Sequence, residues 1–333
     1  MEMRRLGAST VEVSVLGFGG APYGAVGDRL TETDADAMVT LALEGGIRYF
    51  DTAPLYGHGL SERRLGRVLS QVARNDFVLS SKVGRLLVPL EQGERYAGMR
   101  DQEPWSIRFD YGFDGARRSL EESLCRLGLD RVDVLFCHDI DVWTHGDRQP
   151  QVFATALGGA LRALGELREQ GVIGAFGVGV NEWPVCAQVL DHVAVDCFLL
   201  AGRFTLLEQD PLDVLLPKCA AHDVSLIIGG PYNSGLLAAT ERRRASYDYQ
   251  PASDEMWARA QAIRRLCDAH GVDIRAAALQ YPLRHATVAA VIPGPRSVRE
   301  VEENLALMQT PVPEALYADL AAAGLARALG EPA

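Results

Sequence analysis

No stretch of the 333-residue chain holds the ~18 consecutive apolar residues of a membrane-spanning helix, so none is expected. The first nine residues are charged and have no apolar run behind them, so no secretory leader is expected. Positive charge is scarce: Lys and Arg number 33 against 44 Asp and Glu, a net charge of −11. That balance argues against nucleic acid or an anionic membrane as a partner. Cysteine is sparse and scattered, at Cys125, Cys137, Cys186, Cys197, Cys219 and Cys267, with no CxxC pair. Most of these stand in apolar runs, so buried, reduced thiols in a cytoplasmic protein are expected. A disulfide framework or a structural zinc site lacks the spacing. Internal repeats, linkers and low-complexity segments are also missing. What remains is a globular composition, 48% hydrophobic and 23% charged.

Short apolar strands alternate with longer helical patterns from end to end. Strands are expected at 15–20, 46–51, 76–82, 132–138, 173–180, 195–200, 224–228 and 288–292. Helices are expected at 36–43, 61–69, 113–127, 157–170, 183–190, 212–222, 254–269 and 297–307, with a further one at 274–285. Fully apolar strands joined by helices imply a parallel sheet with both faces covered. Eight such units imply a closed (β/α)8 barrel, a TIM barrel, spanning residues 1–333 as one domain. A short N-terminal β-hairpin, at 3–7 and 11–14, is expected to plug the end opposite the chemistry. Long loops follow strand 3 (84–112) and strand 7 (229–253), where lids and binding walls are usual. The second carries Arg242, Arg243 and Arg244, which read as a solvated run.

Three successive strand ends deliver chemistry to one rim. Asp51 and Tyr56 follow the second strand, Lys82 ends the third and His138 the fourth. Each alone has an ordinary structural reading; their convergence points to proton transfer. A tyrosine with a pKa near 10 is a poor base at neutrality. A neighbouring lysine ammonium favours the phenolate, and an aspartate keeps a buried lysine charged. A histidine can bond and orient the reacting oxygen. Rival motifs are weaker. Gly17-Phe-Gly-Gly20 is not a GxGxxG fingerprint, and His138, Asp139, Asp141 and His145 lack metal-ligand spacing.

Asp51, Tyr56-Gly57, Lys82 and His138 on successive strands resemble the catalytic tetrad of the aldo-keto reductases. The glycine-rich segment 15–20 and the late Ile292-Pro-Gly-Pro-Arg-Ser297 with Glu303-Asn304 are similar to that family's opening strand and cofactor-binding tail. Segments 49–62, 138–146 and 229–235 resemble the D-threo-aldose 1-dehydrogenase (L-fucose dehydrogenase) branch, to which pyridoxal 4-dehydrogenase is similar. The resemblance implies an NAD(P)-dependent barrel enzyme with Tyr56 as general acid/base, Lys82 tuning it, Asp51 holding Lys82, and His138 positioning the substrate. It implies oxidation of a cyclic aldose at C1 to a lactone. Alternatives are pyridoxal oxidation to its lactone, or a nicotinamide-binding regulatory subunit on the same barrel.

For the cofactor, the resemblance implies contacts from Asn181, from the loop Pro231, Asn233, Ser234, Gly235 and Leu236, and from Gly294, Arg296, Ser297, Glu300, Glu303 and Asn304. Tyr23, Trp105, Trp143 and Tyr232 are candidate pocket walls, and no metal is expected. Five positions depart from the family pattern: Val180, Ala201, Gly229, Gly294 and Glu300. Glycine and glutamate at 294 and 300, where the family has basic groups, remove partners of a 2′-phosphate. They favour NAD over NADP.

Overall fold

The computed structural model describes residues 1–24, 30–90 and 105–329. Its strands, in chain order, are β1 (Met3–Arg5), β2 (Glu12–Ser14), β3 (Phe18–Gly19), β4 (Tyr49–Asp51), β5 (Val78–Val83), β6 (Arg85–Pro89), β7 (Trp105–Phe109), β8 (Val134–His138), β9 (Ala175–Val180), β10 (Cys197–Ala201), β11 (Ser225–Gly229), β12 (Ser246–Tyr247), β13 (Gln250–Pro251) and β14 (Val288–Ile292). Eight of them form one parallel sheet in the order β14-β11-β10-β9-β8-β5-β4-β3. A parallel bridge between Leu16 and Val291 joins the two ends and closes the barrel. With helices around it, this is the (β/α)8 architecture expected from the strand and helix alternation.

Residues inside the barrel come from alternate positions of neighbouring strands. Tyr49, Val134, Phe136, Cys197, Leu199, Ile227, Ala290 and Ile292 form one cluster, joined by Leu6 and Val13 of the N-terminal hairpin. Both hairpin residues are fully buried, so the hairpin seals the barrel floor as expected. Burial of each stabilises by about 2 kcal/mol.

Local detail departs from expectation in three places. The first helix spans Glu32–Glu44, starting ahead of the apolar run at 36–43, with Thr31, one of the two threonines expected to cap it, accepting from the Asp34 amide. The segment after β5 is not plain loop. β6 and β7 pair as an antiparallel ribbon, Leu87 opposite Ile107. Residues 91–104 of that expected loop lie outside the described residues. The helix expected at 157–170 starts at Gln149 and continues through a π turn, Leu157–Leu161, into Arg162–Glu169. The turn opens where another backbone docks: a Cβ on Gly159 would lie 2.4 Å from the Tyr111 carbonyl oxygen, and Ala160 donates to that oxygen at 2.9 Å. Of the cysteines, Cys125 is exposed and the other five are buried and free.

Candidate active site

Parallel register brings the rim groups level. Asp51 pairs with Ser80, Lys82 with Phe136, and His138 with Gly179. Asp51 and Lys82 are almost completely buried. Lys82 Nζ donates to both Asp51 carboxylate oxygens, at 2.8 and 2.7 Å, and to the Thr52 carbonyl at 2.9 Å. The Ser80 hydroxyl donates to Asp51 at 2.7 Å. Burial pushes the lysine down and the carboxyl up, and the mutual contact opposes both shifts.

Tyr56 hangs on a tight turn after β4. A Cβ on Gly57, whose φ is +61°, would fall 1.8 Å from the Gly24 carbonyl oxygen, so only glycine lets the turn seat there. The half-buried Tyr56 ring lies under Lys82, with Nζ 4.8 Å from its centroid. It meets the His138 ring edge-on at 6.1 Å. The structure thus brings together all four groups expected at this rim.

Tyr56 is held well above the usual phenol range, first by burial and then by the charges of Asp51 and Asp139. Arg85 opposes that rise, and the Lys82 charge beside the ring is matched by Asp51 in a two-oxygen contact. The resting tyrosine is therefore a neutral phenol. His138 is pushed well below the ordinary imidazole range by burial, then by Arg85 and Lys82, so it is neutral as well. Its Nδ1 is buried without a hydrogen-bond partner. Neither a proton nor a lone pair is satisfied there, so the surroundings of Nε2 set the tautomer.

A second buried ion pair adjoins the first. Arg85, from β6, bonds the Asp139 carboxylate, and the two side chains are 9% and 8% exposed. Asp139 lies 3.3 Å from His138 Nε2. Its other oxygen accepts from Asn181 Nδ2 at 3.4 Å. Sequence reasoning missed Arg85 as part of the rim; its one signal is a lone charge in the apolar run Val83-Gly-Arg-Leu-Leu-Val88.

The chain matches the family model described as Aldo/keto reductase family over residues 15–324. It belongs to that family. The sequence is 38% identical to a pyridoxal 4-dehydrogenase of Microbacterium luteolum, over 97% of this chain and 98% of that protein. It is 36% identical to a D-threo-aldose 1-dehydrogenase of a Pseudomonas species, over 96% of each. It is 34% identical to an L-galactose dehydrogenase of Arabidopsis thaliana, over 92% of this chain and 88% of that one. Among solved structures it resembles an aldo-keto reductase of Bacillus halodurans in its holo form, with a TM-score of 0.73 and 27% identity, covering 99% and 98% of the two chains. The aldo/keto reductase is accordingly a nicotinamide-dependent oxidoreductase acting on alcohol or aldehyde groups.

The barrel mouth of this aldo/keto reductase fits such a cofactor. Glycines 202, 230 and 235 leave open space where side chains would stand: an added Cβ meets one atom at 3.8 Å, one at 3.8 Å and none within 4 Å. The loop after β11 keeps that strip in place. Asn233 is buried at φ +48°, accepts from the Thr205 hydroxyl at 2.7 Å and donates to the Gly202 carbonyl at 3.0 Å. Pro231 is buried, Leu236 is a core residue, and Ser234 receives the Ser246 hydroxyl on its carbonyl at 2.9 Å.

The C-terminal segment is more self-contained than expected. Ser297 caps the helix Val298–Gln309 at the Glu300 amide. Glu300 is taken up by Arg296, accepting from its backbone amide at 2.8 Å and from Nη2 at 2.8 Å. Glu303 is bonded by Arg299 and Arg275, each at 2.8 Å. Asn304 accepts from the Tyr232 hydroxyl at 2.7 Å, which ties the β11 loop to this helix. Gly294 packs against Pro22, whose Cδ a Cβ would approach to 2.5 Å.

The four aromatics expected as pocket walls are dispersed. Tyr23 is a correction: it is fully buried, and its hydroxyl donates to the Ala35 carbonyl at 3.1 Å, because the turn Pro22–Gly24 folds inward over the first helix. Trp105 lines an outer groove with Arg63, Leu87, Cys125 and Arg126, away from the four rim groups. Tyr232 is tied to Asn304. Trp143 stays at the rim, 51% exposed, with Arg203 5.9 Å over its ring. Arg203 in turn grips Asp248 at 2.8 and 3.0 Å. That bond anchors the β12–β13 hairpin, whose tip carries an aromatic the sequence reading passed over. Tyr249 is 73% exposed at φ +62°. Asp248-Tyr249 lacks the glycine that marks a tight hairpin in sequence.

Proposed function

We propose that this protein oxidises a ring-closed hemiacetal, an aldose of the L-fucose type, at its anomeric carbon to a lactone. The observation that carries the reading is the buried Asp51–Lys82 pair over the Tyr56 ring, with a neutral His138 edge-on to it. Bound nicotinamide supplies the hydride acceptor. Asn181, the strip along the β11 loop and the Ser297 helix terminus would hold it. Tyr56 exchanges the proton of the reacting oxygen, and His138 Nε2–H orients that oxygen. Because burial keeps Tyr56 protonated at rest, carbonyl reduction can start directly. Oxidation needs the phenolate, so its rate should rise with pH through and above neutrality.

We assign NAD as the preferred cofactor. The Pro22 contact leaves no room for a basic side chain at Gly294, and Arg296 is already neutralised by Glu300. A second substrate reading is pyridoxal, favoured by the 38% identity to a pyridoxal 4-dehydrogenase. Pyridoxal also closes to a hemiacetal, so the same residues would give a lactone.

The test is absorbance of reduced nicotinamide with purified protein, L-fucose or pyridoxal, and NAD+ or NADP+. Growth with L-fucose and NAD+ supports the reading. Growth with pyridoxal alone moves the substrate to the second reading, and growth only with NADP+ overturns the cofactor assignment. Cofactor binding with no turnover of any hemiacetal or aldehyde would overturn the enzyme reading.

A further inference from the structure

Asp139 has no part in the scheme above, yet among the described residues it is the carboxylate that contacts His138. It is buried, follows the histidine directly and takes a left-handed backbone, φ +50°, that aspartate tolerates only at a cost. Several bonds enforce this conformation. The Asp139 amide donates to the Gly179 carbonyl at 2.9 Å. The Tyr111 hydroxyl reaches the carbonyls of His138 and Asp139, at 2.8 and 2.9 Å, and Tyr111 itself is docked by the π turn at 157–161. His145 Nε2 meets the Asp139 carbonyl at 2.9 Å. Arg85 grips the carboxylate and stacks over Phe109 at 4.8 Å.

The carboxylate so fixed has two further neighbours. One oxygen is 3.3 Å from His138 Nε2, a close charge contact whose geometry is not an aligned hydrogen bond. The N–H direction therefore stays open to a reacting oxygen, while the negative charge favours a proton on Nε2 over Nδ1. The other oxygen accepts from the Asn181 amide at 3.4 Å, which turns the Asn181 carbonyl away from it.

We propose that Asp139, locked by Arg85, is a positioning residue that holds His138 in its Nε2–H form and orients Asn181, so that one carboxylate aligns the substrate and cofactor sides of the site. The proposal rests on the reading of His138 at the reacting oxygen. Burial pushes Asp139 up to about 6, against the opposing charges of Arg85 and Lys82 and with Asp141 adding to the rise. Tyr56, Tyr111, Cys137, His138, His145 and Tyr249 are the other titratable groups around it among the described residues. Below that pH the carboxyl is protonated and its hold on His138 is lost. Activity then falls as pH drops through it.

The test uses the full-length protein and two readouts. Nitrogen-15 NMR of the imidazole reports the His138 tautomer without any turnover. It should show Nε2–H in the wild type and a mixture in Asp139→Asn. In steady-state kinetics, Asp139→Asn should lower kcat on the order of tenfold to hundredfold with KM little changed. It should also remove the break in the pH profile at about 6, leaving the rise due to Tyr56. Arg85→Met should move that break to higher pH, since the arginine holds the carboxyl down; if that variant does not fold, Arg85→Lys should move it the same way by less. An Asp139→Asn protein with the wild-type tautomer and an unchanged break would overturn the proposal. If no substrate turns over, the functional reading fails, and the tautomer measurement still decides the role of Asp139.

Discussion

The Asp51–Lys82 side of the barrel and the C-terminal segment 294–304 both carry charged residues, and they use them in opposite ways. In the barrel the pair is buried, bonded twice and set by strand register. Among the described residues neither group has another ion-pair partner. At the helix Val298–Gln309 the charges are more exposed and pair mainly with neighbours four residues away, Arg296 with Glu300 and Arg299 with Glu303, with Arg275 as a second partner of Glu303. A buried charge has one use, dictated by the fold. An exposed charge takes whichever partner is near, so its assignment to a ligand is weaker and its removal costs less.

The contrast can be broken most severely at Lys82. Lys82→Met leaves the Asp51 carboxylate buried without its cation and should cost about 3–5 kcal/mol in urea unfolding. The double change Lys82→Met with Asp51→Leu should recover most of that loss; no recovery would mean the pair is not the source of the cost. A smaller effect is expected where the β11 loop is tied by a neutral side chain. Asn233→Ala strands the buried Thr205 hydroxyl, at ~1–3 kcal/mol, and adds strain at positive φ. Asn233→Gly should lose less than the alanine variant, and the reverse order would mean the backbone is not strained there. At the hairpin tip, Tyr249→Ala should raise KM for a ring substrate by about 1 kcal/mol, roughly fivefold, with kcat nearly kept. The smallest change belongs to the exposed pair. Glu300→Gln removes the charge paired with Arg296 and should shift the NADP-to-NAD affinity ratio toward NADP by less than about 1 kcal/mol. A far larger shift would show that Glu300 meets the cofactor directly.

The same contrast explains what was legible in the sequence. Strand periodicity placed Asp51, Lys82 and His138 at successive strand ends, and the closed barrel then leaves them one rim to share. The floor hairpin followed from its apolar alternation. Arg85 and Asp139 were not legible as a pair, because β6 and β8 are distant in sequence and their contact depends on a ribbon whose second strand begins at Trp105. The π turn was hidden because its cause, the docked backbone of Tyr111, is nonlocal. The aromatics failed as pocket markers for a related reason. A ring fits a core, a groove or a rim equally well, and only packing decides, as Tyr23, Trp105 and Trp143 show.

The proton step is tested most directly at Tyr56. The rate of nicotinamide reduction by wild type and Tyr56→Phe should be compared at saturating hemiacetal, together with cofactor affinity from quenching of protein fluorescence. Loss of turnover by roughly 10²–10⁴-fold with cofactor affinity unchanged is the predicted result. Turnover at the wild-type rate would contradict the account, because the phenol beneath Lys82 would then move no proton.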